Sequence, residues 1–201
     1  MKSYNYYLLA GISIVLGIVL SIFFSEGHFY TFFSLGLFMI LMDIYNKISD
    51  KKIFYYWRFK NFLIFYLILI ISSITIDRLG MALGYWVYPQ FNSFFDEVLK
   101  YVFEWVIALA YLGIFFAIGF LFFMKKGFGK VASCILSLVI FSTLAGLFTE
   151  YINLFSLSWE VLSMPISNYK IGGFFVIFQT IGYWLMAIIP VLIYKLSGVK
   201  E

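Results

Sequence analysis

The chain reads as an all-α polytopic membrane protein, one domain of six transmembrane helices, and three observations predict this. Of its 201 residues 64% are hydrophobic and only 12% charged, whereas about a quarter of a soluble domain is charged. The apolar residues gather in six runs of sixteen or more, near the roughly 20 that a membrane helix needs. The Lys and Arg between those runs fall mostly on one side.

Residues 7–24 form the first run; with no small-residue cleavage site after a short apolar core, it is read as a retained helix and not a signal peptide. The second covers 29–44. The third, 61–76, ends at Asp77; sixteen residues span about 24 Å, short of a hydrocarbon core of about 30 Å, so Asp77 is expected below the membrane surface. The fourth, 99–124, carries Glu104 and Trp105 about one turn in. The fifth, 131–149, ends at Glu150, with Asn153 one turn further on the same face. The sixth, 171–194, opens on Gly172 and Gly173, which like the GxxxG pair Gly80 and Gly84 are read as places where helices approach closely.

Both termini on the cytoplasmic side put Lys2, Lys47, Lys51, Lys52, Arg58, Lys60, Lys125, Lys126, Lys130, Lys195 and Lys200 inside, and leave Arg78, Lys100 and Lys170 outside. A prokaryotic plasma membrane is the expected location. The net charge of +4 then reports topology and attraction to anionic inner-leaflet lipid, not nucleic-acid binding. Tyr55, Tyr56 and Trp57 beside Lys and Arg have the composition of an interfacial anchor, and KKGFGK at 125–130 reads as a structural turn. The outer connections, 78–97 and 151–170, are too greasy for free loops. They are expected to extend the helices or to fold back as short interfacial helices, roofing a cavity open to lipid.

The single Cys134 excludes an internal disulfide and reads as a buried, inert thiol. His28, the one histidine, has no metal-ligand partner at helical spacing, so no metal and no cofactor are expected. Nucleotide-binding and hydrolase motifs are absent, which disfavours hydrolases and nucleotide-driven pumps. Ion-coupled transport is disfavoured too, since the middles of the runs lack ionisable residues.

One pattern occurs twice. DRLGMALGYW runs from Asp77 to Trp86 and EYINLFSLSW from Glu150 to Trp159, each an acid followed nine positions later by tryptophan. Membrane carboxyl groups are costly unless paired, wetted or used, and internal repeats are a common way to build a membrane site. Asp77, Glu104 and Glu150, from three runs at one membrane level, are therefore the candidate catalytic acids. The plainer alternatives are an Asp77–Arg78 contact and a Glu104–Lys100 pair. A carboxyl group kept from water holds its proton and can act as a general acid. Trp86, Tyr88, Trp105 and Trp159 supply electron-rich faces that stabilise a developing cation, and with Asn153 they are the candidate substrate-binding residues.

DRLGMALGYWVYP, from Asp77 to Pro89, followed by FEW at 103–105, resembles the lycopene cyclase domain of small membrane proteins, and TEYINLFSLSW from Thr149 is similar to the Glu-x-x-Asn and downstream Trp of the carotenoid hydratases. The likeness covers at most about a third of the chain; where the family has a Pro and two adjacent Glu, this chain has Val102-Phe103-Glu104-Trp105. It implies an isoprenoid or carotenoid-modifying isomerase or hydratase, in which a carboxylic acid protonates a polyene end without redox change. The partners would be a hydrophobic lipid or polyisoprenoid substrate and membrane lipids, with homo- or hetero-oligomers left open. The competing reading is a non-catalytic small-solute or lipid-binding membrane protein, such as a transporter's substrate-capture subunit.

Overall fold

The computed structural model describes residues 3–24, 27–49, 59–163, 170–171 and 174–196, with side chains for 5–24, 27–49, 60–163 and 179–195. Six helices account for most of it: α1 (Ser3–Phe24), α2 (Phe29–Ser49), α3 (Phe59–Ala82), α4 (Phe94–Lys125), α5 (Lys130–Ser156) and α6 (Val176–Leu196). Among the described residues the first five are long and apolar enough to cross a membrane, which makes the chain an integral membrane protein. The anchor cluster Tyr55, Tyr56 and Trp57, the pair Gly172 and Gly173, and the charges Lys2, Lys51, Lys52, Arg58 and Lys200 lie outside the described residues.

Helix α4 is the axis of the bundle. It packs against α2, α3, α5 and α6, and Val106, Leu109, Tyr111, Leu112 and Phe116 along it are buried. The helices outside it keep large apolar side chains exposed, as faces in contact with lipid do: Leu8, Ile12 and Val15 on α1, Leu67 and Ile71 on α3, Leu185 and Leu192 on α6.

The helices outrun the apolar stretches that announce them. Helix α3 passes Asp77 and ends at Ala82, α5 passes Glu150 and ends at Ser156, and α4 begins already at Phe94. A charged residue ends a membrane helix only when it must reach water, and Asp77 and Glu150 find partners inside the bundle instead. Arg78 pairs with Glu97 and not with Asp77, and Lys100 pairs with Asp77 and not with Glu104. Cys134 is a free, half-buried thiol, not a fully buried one.

Beyond α3 and α5 the chain forms a roof. Of the two expected forms, the outward extension of the helices is the one seen, to Ala82 and Ser156; beyond it the described residues make a two-stranded antiparallel ribbon, β1 (Trp86–Val87) with β2 (Glu160–Val161), and not short interfacial helices. The cause is how the two helices stop. After α3, Gly84 takes the left-handed conformation (φ +71°), its N–H bonding to Met81 O and that of Tyr85 to Gly80 O, the paired bonds of a Schellman cap. After α5, Leu157 takes the same conformation (φ 53°), its N–H bonding to Asn153 O at 2.8 Å. Each reversal turns an extended segment back over its own helix, and the two segments pair.

Candidate functional site

Asp77 is fully buried on α3, and four donors saturate its carboxylate. Trp86 Nε1 (2.9 Å) and Tyr88 OH (2.6 Å) donate to Oδ1; Tyr101 OH (2.6 Å) and Lys100 Nζ (3.2 Å) meet Oδ2. Lys100 is also buried, its ammonium 3.9 Å from the Tyr88 ring centroid and 4.6 Å from that of Tyr101. A lone charge here would cost several kcal/mol; the ion pair, the hydrogen bonds and the ring faces offset that cost. Tyr88, in the roof, is pushed well above the ordinary phenol range by burial and then by the Asp77 charge, so it stays a neutral donor.

Glu150 on α5 repeats the arrangement. Trp159 Nε1 reaches both its oxygens at 3.2 Å, Tyr183 OH donates to Oε1 at 2.8 Å, and Gln179 adds a side-chain hydrogen bond. The sequence repeat is therefore a structural one: an acid, a left-handed residue seven positions on, and a Trp nine positions on whose indole folds back to the acid. A tyrosine of the next helix, Tyr101 on α4 or Tyr183 on α6, completes each carboxylate. In the ribbon Val87 pairs with Glu160, the equivalent position of the other copy, as a local two-fold axis requires.

Glycines make room for these donors. A Cβ on Gly80 would run into the Trp86 ring, and one on Gly146 into the Tyr183 ring. The Gly80–Gly84 pair thus serves an indole and a helix cap, and not the helix–helix contact its GxxxG spacing suggests.

Glu104 is different. It lies in a wide π-helical turn, Lys100–Glu104, that turns Lys100, Tyr101 and Glu104 inward together, a distortion often found at functional sites. Its Oε1 meets His28 Nδ1 at 2.6 Å and accepts from Thr31 Oγ1 at 3.1 Å. Among the described residues nothing donates to Oε2. The other imidazole nitrogen, Nε2, lies 3.2 Å from Asp96 Oδ1, and the ring stacks on Phe91 with centroids 4.7 Å apart. His28, in the turn before α2, is raised to about 9, chiefly by its hydrogen bond to Glu104; burial opposes this, and the charges of Glu104 and Asp96 add to it.

These groups surround a cavity of about 430 Å³ beneath the roof, between α3, α4 and α6. Trp86, Tyr88, Phe91, Trp105, Trp159 and Tyr30 supply aromatic faces, and the carboxyl groups of Glu104 and Glu150 are its acids. Leu79 of α3, Leu83 just past its end and Leu185 of α6 line it too, each more than half exposed, so its mouth lies between α3 and α6 and faces lipid.

Of the expected site residues, Glu104, Glu150, Trp86, Tyr88, Trp105 and Trp159 line this one cavity. Asp77 does not; it sits behind Trp86 and Tyr88 and fixes both. Nor does Asn153, whose side chain bonds the backbone of Trp159 and pins that loop. Sequence reasoning missed Lys100 as the partner of Asp77, and Tyr101, Tyr183 and His28 as donors. A tyrosine opening each helix that follows an acid–Trp segment was the available signal for two of them. His28 meets a partner 76 positions away, which no local pattern discloses. Among the described residues no three His, Cys, Asp or Glu side chains are grouped to hold a metal ion.

No family model matches the chain, and no curated protein or solved structure is significantly similar to it.

Proposed function

We propose that the protein is a membrane-embedded enzyme that modifies one end of an isoprenoid or carotenoid chain by acid-initiated cyclisation or hydration, without net redox change. The observation that carries this reading is Glu104, whose Oε2 accepts from no described residue, in the lining of an aromatic cavity whose mouth opens to lipid. A cavity of about 430 Å³ is of ordinary ligand size. It would hold one end of a long polyene while the rest stays in the bilayer.

In the proposed reaction Glu104 gives its proton to a terminal double bond; the π electrons form the new C–H bond and leave a cation on the neighbouring carbon. The faces of Trp86, Trp105 and Trp159 stabilise that cation. A second double bond then closes a ring and a proton leaves to the carboxylate, or water adds its oxygen and returns a proton to it. Either way the acid is regenerated. Glu150, held by its donors, closes the wall of the same cavity, and Asp77 positions Trp86 and Tyr88. The roofed end would face outward, with both termini in the cytoplasm of a prokaryote, as the Lys and Arg distribution favours.

A second reading rests on the saturation of Asp77 and Glu150, since groups so fully bonded also suit a purely structural role. On that reading the cavity captures a small solute or lipid without changing it. Expression in lycopene-accumulating cells followed by pigment extraction separates the two. The enzyme yields a cyclised or hydrated product that falls by about 10²–10⁴-fold in Glu104→Gln. The binding protein yields none, and a saturating ligand raises its melting temperature in detergent instead.

A further inference from the structure

We propose that His28 is the proton conduit between water on the roofed side and Glu104, receiving at Nε2 beside Asp96 and delivering from Nδ1 to Glu104 Oε1. The assignment rests on Glu104 being the acid of the preceding reading, and it answers a difficulty in that reading. Turnover returns the proton to Glu104, but the carboxylate beside His28 must first receive one, and a cavity that opens to lipid gives it no direct access to water, so that proton needs another route.

The geometry provides one. Asp96 Oδ1, His28 Nε2, His28 Nδ1 and Glu104 Oε1 form one line of contacts, at 3.2 Å and 2.6 Å on either side of the ring. Exposure falls along it: the Asp96 and His28 side chains are 24% and 23% exposed, and that of Glu104 5%. Phe91, stacked on the imidazole, also lines the cavity and so stands between the two. Each residue is anchored for the task. The second oxygen of Asp96 accepts from Ser93 N at 2.9 Å in the cap of α4, and Thr31 fixes the Glu104 oxygen that His28 meets. Among the described residues the charged groups facing the ring are Asp96 and Glu104, both on α4, with Lys100 beyond Phe91.

The transfer separates no charge. The Nδ1–H bond of the imidazolium breaks as the Oε1–H bond forms, turning an imidazolium–carboxylate pair into a neutral imidazole and a carboxylic acid. Rotation of the carboxyl group then presents the O–H to the cavity. A proton that a product gives back to the carboxylate leaves Glu104 ready for the next turnover, and the same steps in reverse let that proton equilibrate with water. Exchange with water takes place at Nε2 and Asp96. His28 thus acts through Glu104, as a positioning residue that sets its protonation.

The test is a pH jump followed by infrared spectroscopy on the whole protein in lipid nanodiscs, without substrate. The Glu104 carboxyl band is identified by its loss in Glu104→Gln, and the rate at which it appears after acidification is measured. His28→Gln keeps an N–H toward Glu104 but cannot carry a proton, and it should slow that rate by at least about tenfold. Asp96→Asn, which leaves the imidazole in place, should slow it as well and serves where His28→Gln does not fold. An unchanged rate in the variants that fold overturns the conduit, whatever the pigment assay gives. A slowed rate in a protein that makes no product supports the conduit and counts against the catalytic reading alone.

Discussion

The indole N–H of Trp159 lies 3.2 Å from both carboxyl oxygens of Glu150, nine residues earlier in the chain. Trp86 holds Asp77 in the same manner at 2.9 Å. Each bond ties a roof segment to the helix it has just left, so the acid–Trp repeat is first of all a device that keeps a cavity closed above and open at the side.

Trp159→Phe keeps the ring beside Phe29 and Tyr30 but removes this donor. Removing one partner of a buried hydrogen bond costs about 1–3 kcal/mol, and a loss in that range is expected on unfolding in mild detergent. A change smaller than a few tenths would show that the indole does not fasten the roof.

Leu157 carries a left-handed backbone (φ 53°) on an exposed side chain, in the place that Gly84 fills in the other copy. That conformation costs a non-glycine residue roughly 1–2 kcal/mol, partly offset by glycine's extra freedom in the unfolded chain. Leu157→Gly should therefore stabilise the protein by up to about 1 kcal/mol, read as a raised melting temperature. Destabilisation would mean that the side chain packs in a way the structure does not show.

Lys100→Met leaves Asp77 buried without its counter-ion, a loss of about 3–5 kcal/mol for a buried pair. Adding Asp77→Asn should restore a large part of it, because the amide carries no charge. If the two losses simply add in a double-mutant cycle, the ion pair is not the partnership described here.

His28 gives a pH dependence whose sign follows from its shift. Its affinity for a proton is higher in the folded protein, about 9 against an ordinary 6.5. The stability it contributes is full below pH 6.5 and is lost as the pH rises through 9. Melting temperature against pH should fall across that window in the wild type and flatten in His28→Gln. A fall of equal size in the variant would assign the effect to another group.

Several of these relationships were legible before folding. The i to i+9 spacing of Asp77 with Trp86 and of Glu150 with Trp159 was visible, and so was a shared membrane level for Glu104 and Glu150. The order of the six helices followed from runs of apolar residues, because a bilayer enforces one local solution on each run. Helix ends were less legible: a buried partner lets a helix run past a charge, and that partner sits on another element.

Composition by itself determined that the chain is an all-α membrane protein, since burial of the backbone in hydrocarbon depends only on how many apolar residues follow one another. Tertiary structure alone decided which acid is free. Asp77 is locked by Lys100, Tyr101, Trp86 and Tyr88, Glu150 by Trp159 and Tyr183, whereas Glu104 lines the cavity with described partners on one oxygen only, where His28 and Thr31 meet it. Those differences arise from contacts between separate helices and the roof, over distances in the chain at which a residue's neighbours in sequence carry no information about its neighbours in space.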